Sequence, residues 1–330
     1  MSANAATISL AELDSVRVYG LPMRNRFRGI TRRQGVLLGG PSGWGEFCPF
    51  EDYDDEHAVP WLAAALESVA GDWPEPVRDR VPVNCTVPAV DADTARSIVA
   101  ASGCRTAKVK VAEPSQFASD DVERVAAVRD ALGPSGAIRV DANAAWDVDT
   151  AVARIAELDR AAGGLEYVEQ PCPTVEELAA VRRKVQVRIA ADESIRRAED
   201  PLRVAVAEAA DVAVLKAAPL GGVRRALQVA EACGLPCVVS SAVESSIGLA
   251  AQLALAGALP ELPFACGLGT VSLLEGDLVG ESFVPQDGHL PVPRRAPQPE
   301  PALVAAATPS AEDQRRWLDR LVRVHQLLAG

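Results

Sequence analysis

Between Arg80 and Thr270 one unit recurs along the chain: a short β-rich apolar run, a few polar residues, then a longer stretch at helical periodicity. The apolar runs are Val81 to Val87, Thr106 to Val111, Ala137 to Asn143, Leu165 to Gln170, Arg188 to Ser194, Val212 to Ala217, Pro236 to Ala242 and a weaker one at Pro263 to Gly267. Strands separated by helices must run parallel, whereas the strands of an antiparallel sandwich would be joined by short turns. Eight such units predict an α/β protein built as a (β/α)8-type barrel, a modified TIM barrel. Start signals support the helices: Asp91 and Thr94 precede one, and Thr174 with Glu177 forms a capping box before another. Gly103, Gly133, Gly163 and Gly234 stand where a helix ends and the chain turns back, the usual place for a left-handed glycine.

The flanks differ in texture. Alternating runs at Val16 to Tyr19 and Gly35 to Leu38, a turn at Gly40 to Gly43 and a helix from Asp54 to Val69 predict a small α+β capping domain over residues 1–79. The barrel then takes residues 80–274. Residues 275–330 hold a proline-rich stretch and an amphipathic helix from Ser310 to Leu328, expected to pack back on the cap or the barrel exterior.

With 48% hydrophobic residues among 330, the chain can bury a large core. Its formal charge of -12 argues against nucleic acid, which is gripped by clustered cations. The opening segment lacks the basic start and apolar core of a signal peptide, and no membrane-length apolar run exists, so the expectation is a cytoplasmic protein acting on a small molecule. Monomer and homo-oligomer both stay open. Seven scattered cysteines show no CxxC pair and read as small buried hydrophobes. Three isolated histidines give little support to a His-based triad or metal site.

Ionisable residues at the C-terminal ends of barrel strands are the place to seek chemistry, because the loops there form the active site of this architecture. Lys110, Asp141, Glu169, Asp192 and Lys216 end five successive runs, spaced by 31, 28, 23 and 24 residues, about one βα unit each. Any one of them alone is more ordinarily a helix cap or a solvated loop residue. The ordered series is harder to dismiss. Lys108 and Lys110 alternate with Val109 and Val111, which turns both lysines into the barrel, and Lys216 follows the apolar run Val212 to Leu215. Three converging carboxylates call for a divalent cation, and an all-oxygen set favours Mg²⁺, with Mn²⁺ as the other candidate. Two lysines beside it suit removal and return of a proton α to a carboxylate.

Lys108-Val109-Lys110, Asp141-Ala142-Asn143, Glu169-Gln170-Pro171, Asp192-Glu193-Ser194 and Lys216, in this order, resemble the muconate-lactonising subgroup of the enolase superfamily, as does Trp44-Gly45-Glu46 near the start. The resemblance implies that Asp141, Glu169 and Asp192 bind Mg²⁺ and that Lys110 and Lys216 face opposite sides of the substrate. Mandelate-racemase-like members use a His–Asp pair in place of the second lysine, and no such histidine is available here.

One catalytic frame serves dehydration, epimerisation and cycloisomerisation. Ser240 to Leu249 is similar to the seventh-strand signature of the o-succinylbenzoate synthases, and Gly267-Leu268-Gly269-Thr270 resembles their eighth-strand loop. Dipeptide epimerases generally carry Asp-x-Asp on strand eight, where this chain has Cys266-Gly267-Leu268-Gly269. The resemblance thus implies dehydration of 2-succinyl-6-hydroxy-2,4-cyclohexadiene-1-carboxylate in menaquinone biosynthesis. Lys110 would take the α proton and return it to the leaving hydroxyl, and Lys216 would stay cationic. Lys108 would adjust Lys110 by like-charge proximity, and Asn143 would support the metal or substrate. Ser240, Ser241, Gly269 and Thr270 are expected at the substrate. The cap segment Phe27 to Arg33 is expected as a mobile loop, with Arg28, Arg32 and Arg33 as candidates for the succinyl carboxylate or, for at least two of them, solvated charges. The rival readings are an N-acylamino-acid racemase on the same frame and a non-catalytic barrel used for binding.

Overall fold

The computed structural model describes residues 9–27, 29–71, 73–196 and 203–329. Strands β1 (Ser15–Phe27), β2 (Ile30–Gly39) and β3 (Trp44–Phe47) form an antiparallel sheet in that order. Helix α1 (Asp55–Ala70) lies across it, its N-terminus capped by the Asp54 carboxylate, which accepts from the His57 amide at 2.8 Å. Trp61, Leu62 and Val69 of α1 pack on Val36, Leu38 and Phe47. Gly45 is what lets helix and sheet meet: a Cβ there would lie 2.0 Å from the Ala65 carbonyl oxygen. The obstacle is backbone and cannot swing aside. Gly45→Ala is therefore expected to cost about 3 kcal/mol, the upper end of overpacking penalties, read as a lower urea midpoint.

After β4 (Arg80–Pro82) come seven parallel strands that neighbour one another in sequence order: β5 (Cys85–Val87), β6 (Thr106–Lys110), β7 (Ala137–Asp141), β8 (Tyr167–Glu169), β9 (Ile189–Ala191), β10 (Val212–Leu215) and β11 (Cys237–Val239). Between and after them run α2 (Ala92–Ser102), α3 (Ala118–Leu132), α4 (Val148–Ala162), α5 (Val175–Arg182), the short α6 (Glu193–Arg196), α7 (Arg203–Val206) and α8 (Ala217–Leu220), then α9 (Val223–Cys233) and α10 (Ser246–Ala258). The chain ends with β12 (His289–Pro291), antiparallel to β4, then α11 (Pro301–Ala306) and α12 (Ala311–Ala329).

The eighth expected strand is not a ladder strand. Within Pro263 to Gly267, Cys266 bridges Val83 and Gly267 bridges Ser240, both in parallel sense. The Cys266 amide donates to the Pro82 carbonyl at 2.7 Å and the Gly267 amide to that of Val239 at 2.8 Å. A run this short, opened by a proline with no amide to give, closes the barrel by single bridges to both edges of the sheet. The expected strand ends also recede: β7 stops at Asp141, β8 at Glu169 and β9 at Ala191. Beyond them Asn143, Ala144 and Gln170 take positive φ as the chain turns outward.

Helix caps follow the sequence with one exception. Thr174 and Glu177 form the reciprocal capping box, and Gly103, Gly163 and Gly234 adopt the left-handed conformation. Gly133 does not: φ is 70° but ψ is 177°. Pro134 follows it, and the proline ring drives the preceding ψ to extended values.

Strand alternation sets the barrel interior. Tyr167, Ala190, Val212, Val214, Val238 and Phe264 form an apolar floor, with the Arg139 guanidinium 4.7 Å from the Tyr167 ring. Two residues further along each strand the next inward positions arrive at the C-terminal mouth: 141 after 139, 169 after 167, 192 after 190, 216 after 214, 240 after 238. The tail returns to the cap, where Trp317, Leu321 and Val324 of α12 join the α1 core and Trp317 meets Phe47 edge-on at 6.2 Å. Among the described residues no helix is long and apolar enough to cross a membrane.

Candidate active site

Five side chains from five successive strand ends converge at the mouth, and all are withdrawn from solvent. Lys108 sits between two carboxylates, its Nζ 2.6 Å from Glu169 Oε1 and 2.9 Å from Asp141 Oδ2. Lys110 donates to the same Asp141 oxygen and to Asn143 Oδ1 at 2.5 Å. Across the mouth, Lys216 Nζ donates to Asp192 Oδ2 at 2.5 Å. Lys110 ends β6 and Lys216 follows β10, four strand steps away, which in a barrel closed by an eighth segment is halfway round. The two lysines therefore face each other, with the three carboxylates on the strands between them.

The charges in this cluster are unequally held. Burial works against the Lys108 ammonium, but Asp141 and Glu169 keep its pKa well above the ordinary lysine value. Burial likewise opposes ionisation of Asp141, yet Lys108 and Lys110 hold its carboxyl well below the usual carboxylate range. Glu169 goes the other way: burial and the charge of Asp141 push it up to about 7. Asp141 commands two ammonium groups and shares one of them with Glu169, so Glu169 is the acid that a further cation would relieve most.

Supporting bonds fix the acids in place. The Asn143 amide donates to Asp141 Oδ1 at 3.0 Å, and Asn143 Nδ2 to Glu193 Oε1 at 3.3 Å. Gln170 ties two strand ends together: its Oε1 accepts from the Asp192 amide at 2.9 Å and the Ser194 amide at 3.1 Å, and its Nε2 donates to Ser194 Oγ at 2.7 Å. Arg124 donates to the Lys110 carbonyl at 2.9 Å.

A cavity of about 30 Å³ lies over these groups, lined by Lys108, Lys110, Asp141, Asn143, Asp192 and Lys216 on one side and Ser240, Ser241, Gly267 and Thr270 on the other. Ser241 and Thr270 share a hydroxyl–hydroxyl bond of 2.6 Å. The roof comes from the cap, as Phe27 and Phe50; the Lys110 ammonium is 5.1 Å from the Phe27 ring centroid. That volume admits a water or two, not a substituted ring. Outside Phe27 a groove of about 400 Å³ shares Phe27, Lys110 and Asn143 with the inner cavity, and its size is that of a ligand pocket.

Several expected site residues lie elsewhere. Gly269 is outside the lining; it opens a tight turn over Gly269–Leu273 and packs against the Asn84 carbonyl, where a Cβ would come within 2.8 Å. Gly267, two residues earlier, takes the lining position. Arg32 sits on the exposed face of β2, donating to the Gly20 carbonyl at 3.0 Å. Residues 30–33 are strand rather than loop, because β1 and β2 pair up to Phe27 and Ile30. Arg33, one residue on, is buried. Arg28 lies outside the described residues. Of the two cap aromatics, Phe27 opens the segment expected to belong to the cap's mobile loop, whereas Phe50 was not foreseen.

Fold and site together define a (β/α) barrel enzyme of the kind that handles a proton next to a carboxylate. Residues 91–297 match the family model described as enolase C-terminal domain-like, and residues 18–69 the one described as enolase N-terminal domain-like. The o-succinylbenzoate synthase of Thermobifida fusca is 63% identical over 84% of this chain and 87% of its own. That of Mycolicibacterium smegmatis is 53% identical over 96% of this chain and 97% of its own. Among solved structures, the muconate lactonizing enzyme of Pseudomonas fluorescens superposes with a TM-score of 0.75 at 23% identity, covering 89% of this chain and 98% of that one. The chain belongs to the enolase superfamily, in the family of the o-succinylbenzoate synthases.

Proposed function

We propose that the protein dehydrates 2-succinyl-6-hydroxy-2,4-cyclohexadiene-1-carboxylate to 2-succinylbenzoate, as a cytoplasmic hydro-lyase of menaquinone biosynthesis. The choice of reaction rests on identity of 53% and more to relatives of that name over most of both chains. The chemistry rests on Lys110 and Lys216 facing one another across three buried carboxylates. On the strand-seven and strand-eight side the described lining residues are Ser240, Ser241, Ala242, Val243, Gly267 and Thr270, and none of these is an acid that could hold a substrate amine.

Enolase-superfamily members depend on a divalent metal. The donor set fits one: three buried carboxylates on adjacent strand ends, all hard oxygen, with Glu169 sharing the Lys108 ammonium with Asp141. We assign Asp141, Glu169 and Asp192 as the residues that hold Mg²⁺, or Mn²⁺ in its place, although among the described residues no three acidic, His or Cys side chains are gathered around one point. The three ammonium groups lie against those oxygens instead. When bound, the cation supplies stabilisation of the negative charge that develops on the substrate carboxylate.

The remaining steps belong to the protein. Lys110, as the amine, breaks the C–H bond α to the carboxylate and becomes the ammonium. The same ammonium then protonates the ring hydroxyl as its C–O bond breaks, releasing water and leaving the aromatic ring, so one face of the substrate serves both transfers. Lys216 remains an ammonium on the other face, held by Asp192, and steadies the electron-rich intermediate over the ring. Phe27 and Phe50 exclude water, and the cap must yield to admit the substrate from the outer groove. In this reading residues 1–79 form the cap, 80–274 the catalytic barrel and 275–330 a brace between them.

The test is an ultraviolet assay of the purified protein with the cyclohexadiene carboxylate. Loss of diene absorbance with Mg²⁺, abolished by EDTA and restored by excess Mg²⁺, is the expected result. No turnover with metal present would reject the dehydratase, and proton exchange at the chiral carbon of N-acylamino acids would then put the racemase in its place.

A further inference from the structure

Arg33 and Glu46 of the cap take no part in the chemistry above, yet both reach the barrel loop that carries Ser241 and Val243. Val243 has a φ of 62°, which a β-branched residue adopts only when its surroundings impose it. It also lines the inner cavity. Besides the Ser241–Thr270 hydroxyl bond, further bonds constrain this loop. Arg33 Nε donates to the Val243 carbonyl at 3.2 Å, the Val243 amide donates to Ser241 Oγ at 3.4 Å, and the Ala242 amide donates to Glu244 Oε2 at 2.7 Å. The Arg33 side chain donates further to the carbonyls of Gln34, at 3.4 Å, and Cys48, and its guanidinium carbon lies 4.6 Å from the centroid of the Phe50 ring. One buried cation thus touches a roof residue from the cap and a wall residue from the barrel.

Glu46 secures the same junction at the start of α10. Its Oε1 accepts from the Tyr19 hydroxyl at 2.5 Å and the Ser245 amide at 3.1 Å; its Oε2 accepts from the Gly248 amide at 2.9 Å and from the Ser245 hydroxyl. A carboxylate at a helix N-terminus is favourably placed for the helix dipole. Gly248 makes room for it, since a Cβ there would stand 2.9 Å from Glu46 Oε2. The loop thus runs between two fixed ends, the anchored helix and the end of β11, where the Ser240 amide donates to the Leu215 carbonyl at 2.9 Å, and Arg33 reaches its middle.

We infer that Arg33 is a positioning residue, which keeps Val243 in its left-handed conformation and Phe50 above it so that wall and roof of the substrate cavity stay in register. A guanidinium that bound the substrate's carboxylate would face the cavity. This one is 2% exposed, turned to backbone carbonyls and absent from the lining. The kinetic part of the test rests on the dehydratase reading.

Glycine adopts a φ of 62° without strain, so at position 243 it removes the need for an outside hold. The experiment is a cycle of Arg33→Met, Val243→Gly and the double variant, with kcat, KM and unfolding midpoint measured for each. Arg33→Met is expected to raise KM about tenfold with a smaller fall in kcat, and the double variant to recover most of that loss, a clear departure from additivity. Additive effects in folded variants would overturn the inference. Should Arg33→Met fail to fold, Arg33→Lys carries the same cycle, because it keeps the charge but lacks the planar fork that spans several carbonyls. Amide exchange over residues 241–248 reads the loop without turnover: faster exchange in the Arg33 variant is expected, and unchanged exchange rejects the inference whatever the parent's activity. Absent turnover in the parent would count against the dehydratase alone.

Discussion

Lys110→Ala is expected to lower kcat by about 10³-fold or more, the range that a positioned acid–base group supplies, while the unfolding midpoint stays near that of the parent. The kinetic loss follows from asking one side chain for both proton transfers on one face; among the described lining residues the other amine on that side is Lys108, which is committed between Asp141 and Glu169. The stability argument comes from the same geometry. Removing Lys110 takes one of two ammonium groups from Asp141, and the Lys108 ammonium remains 2.9 Å away, so the buried carboxylate is not stranded. Steady-state kinetics beside a denaturation curve checks both halves. Near-normal turnover would remove Lys110 from the chemistry. Lost turnover with a collapsed midpoint would mean that its part in the ion cluster is structural.

Why this site could be read from the chain is a matter of periodicity. An ionisable group two residues beyond a buried floor residue must point into the barrel, and Asp141, Glu169 and Lys216 follow Arg139, Tyr167 and Val214 in that way. Each also interrupts an apolar run, where a charge with no task is costly. The cap's contribution had no such signal. Arg32 and Arg33 look alike in the sequence, and only the pairing of β1 with β2, Pro22 opposite Arg32 and Leu21 opposite Arg33, sends one to solvent and the other inward. The contacts that give Arg33 and Glu46 their meaning join residues 210 and 199 positions apart, beyond the reach of any local pattern. The eighth strand was half legible for a different reason: its run is too short and proline-led to build a ladder, and its place in the barrel is secured by two bridges that periodicity does not register.

Lys216 separates the dehydratase from a two-base enzyme. If its task is to present a fixed positive charge to the intermediate, Lys216→Ala should lower kcat by about 10²–10³-fold, comparable to deleting one preorganised electrostatic donor, and Lys216→Arg should retain more activity than the alanine variant, since arginine is always charged. A racemase needs Lys216 to give and take protons on the second face, which arginine cannot do, so there the two variants would be equally inactive. The comparison must allow for Asp192, whose Oδ2 lies 2.5 Å from the lysine ammonium. In Lys216→Ala that buried carboxylate loses a partner, and some loss of stability is expected along with the loss of rate. Excess Mg²⁺ should restore part of that stability if Asp192 belongs to the metal set, because a ligand that binds only the folded state raises its apparent stability. A thermal melt of the alanine variant with and without Mg²⁺ reads this directly. No response to the ion would take Asp192 out of the proposed metal set, while equal inactivity of the alanine and arginine variants would move the second lysine from electrostatics to proton transfer.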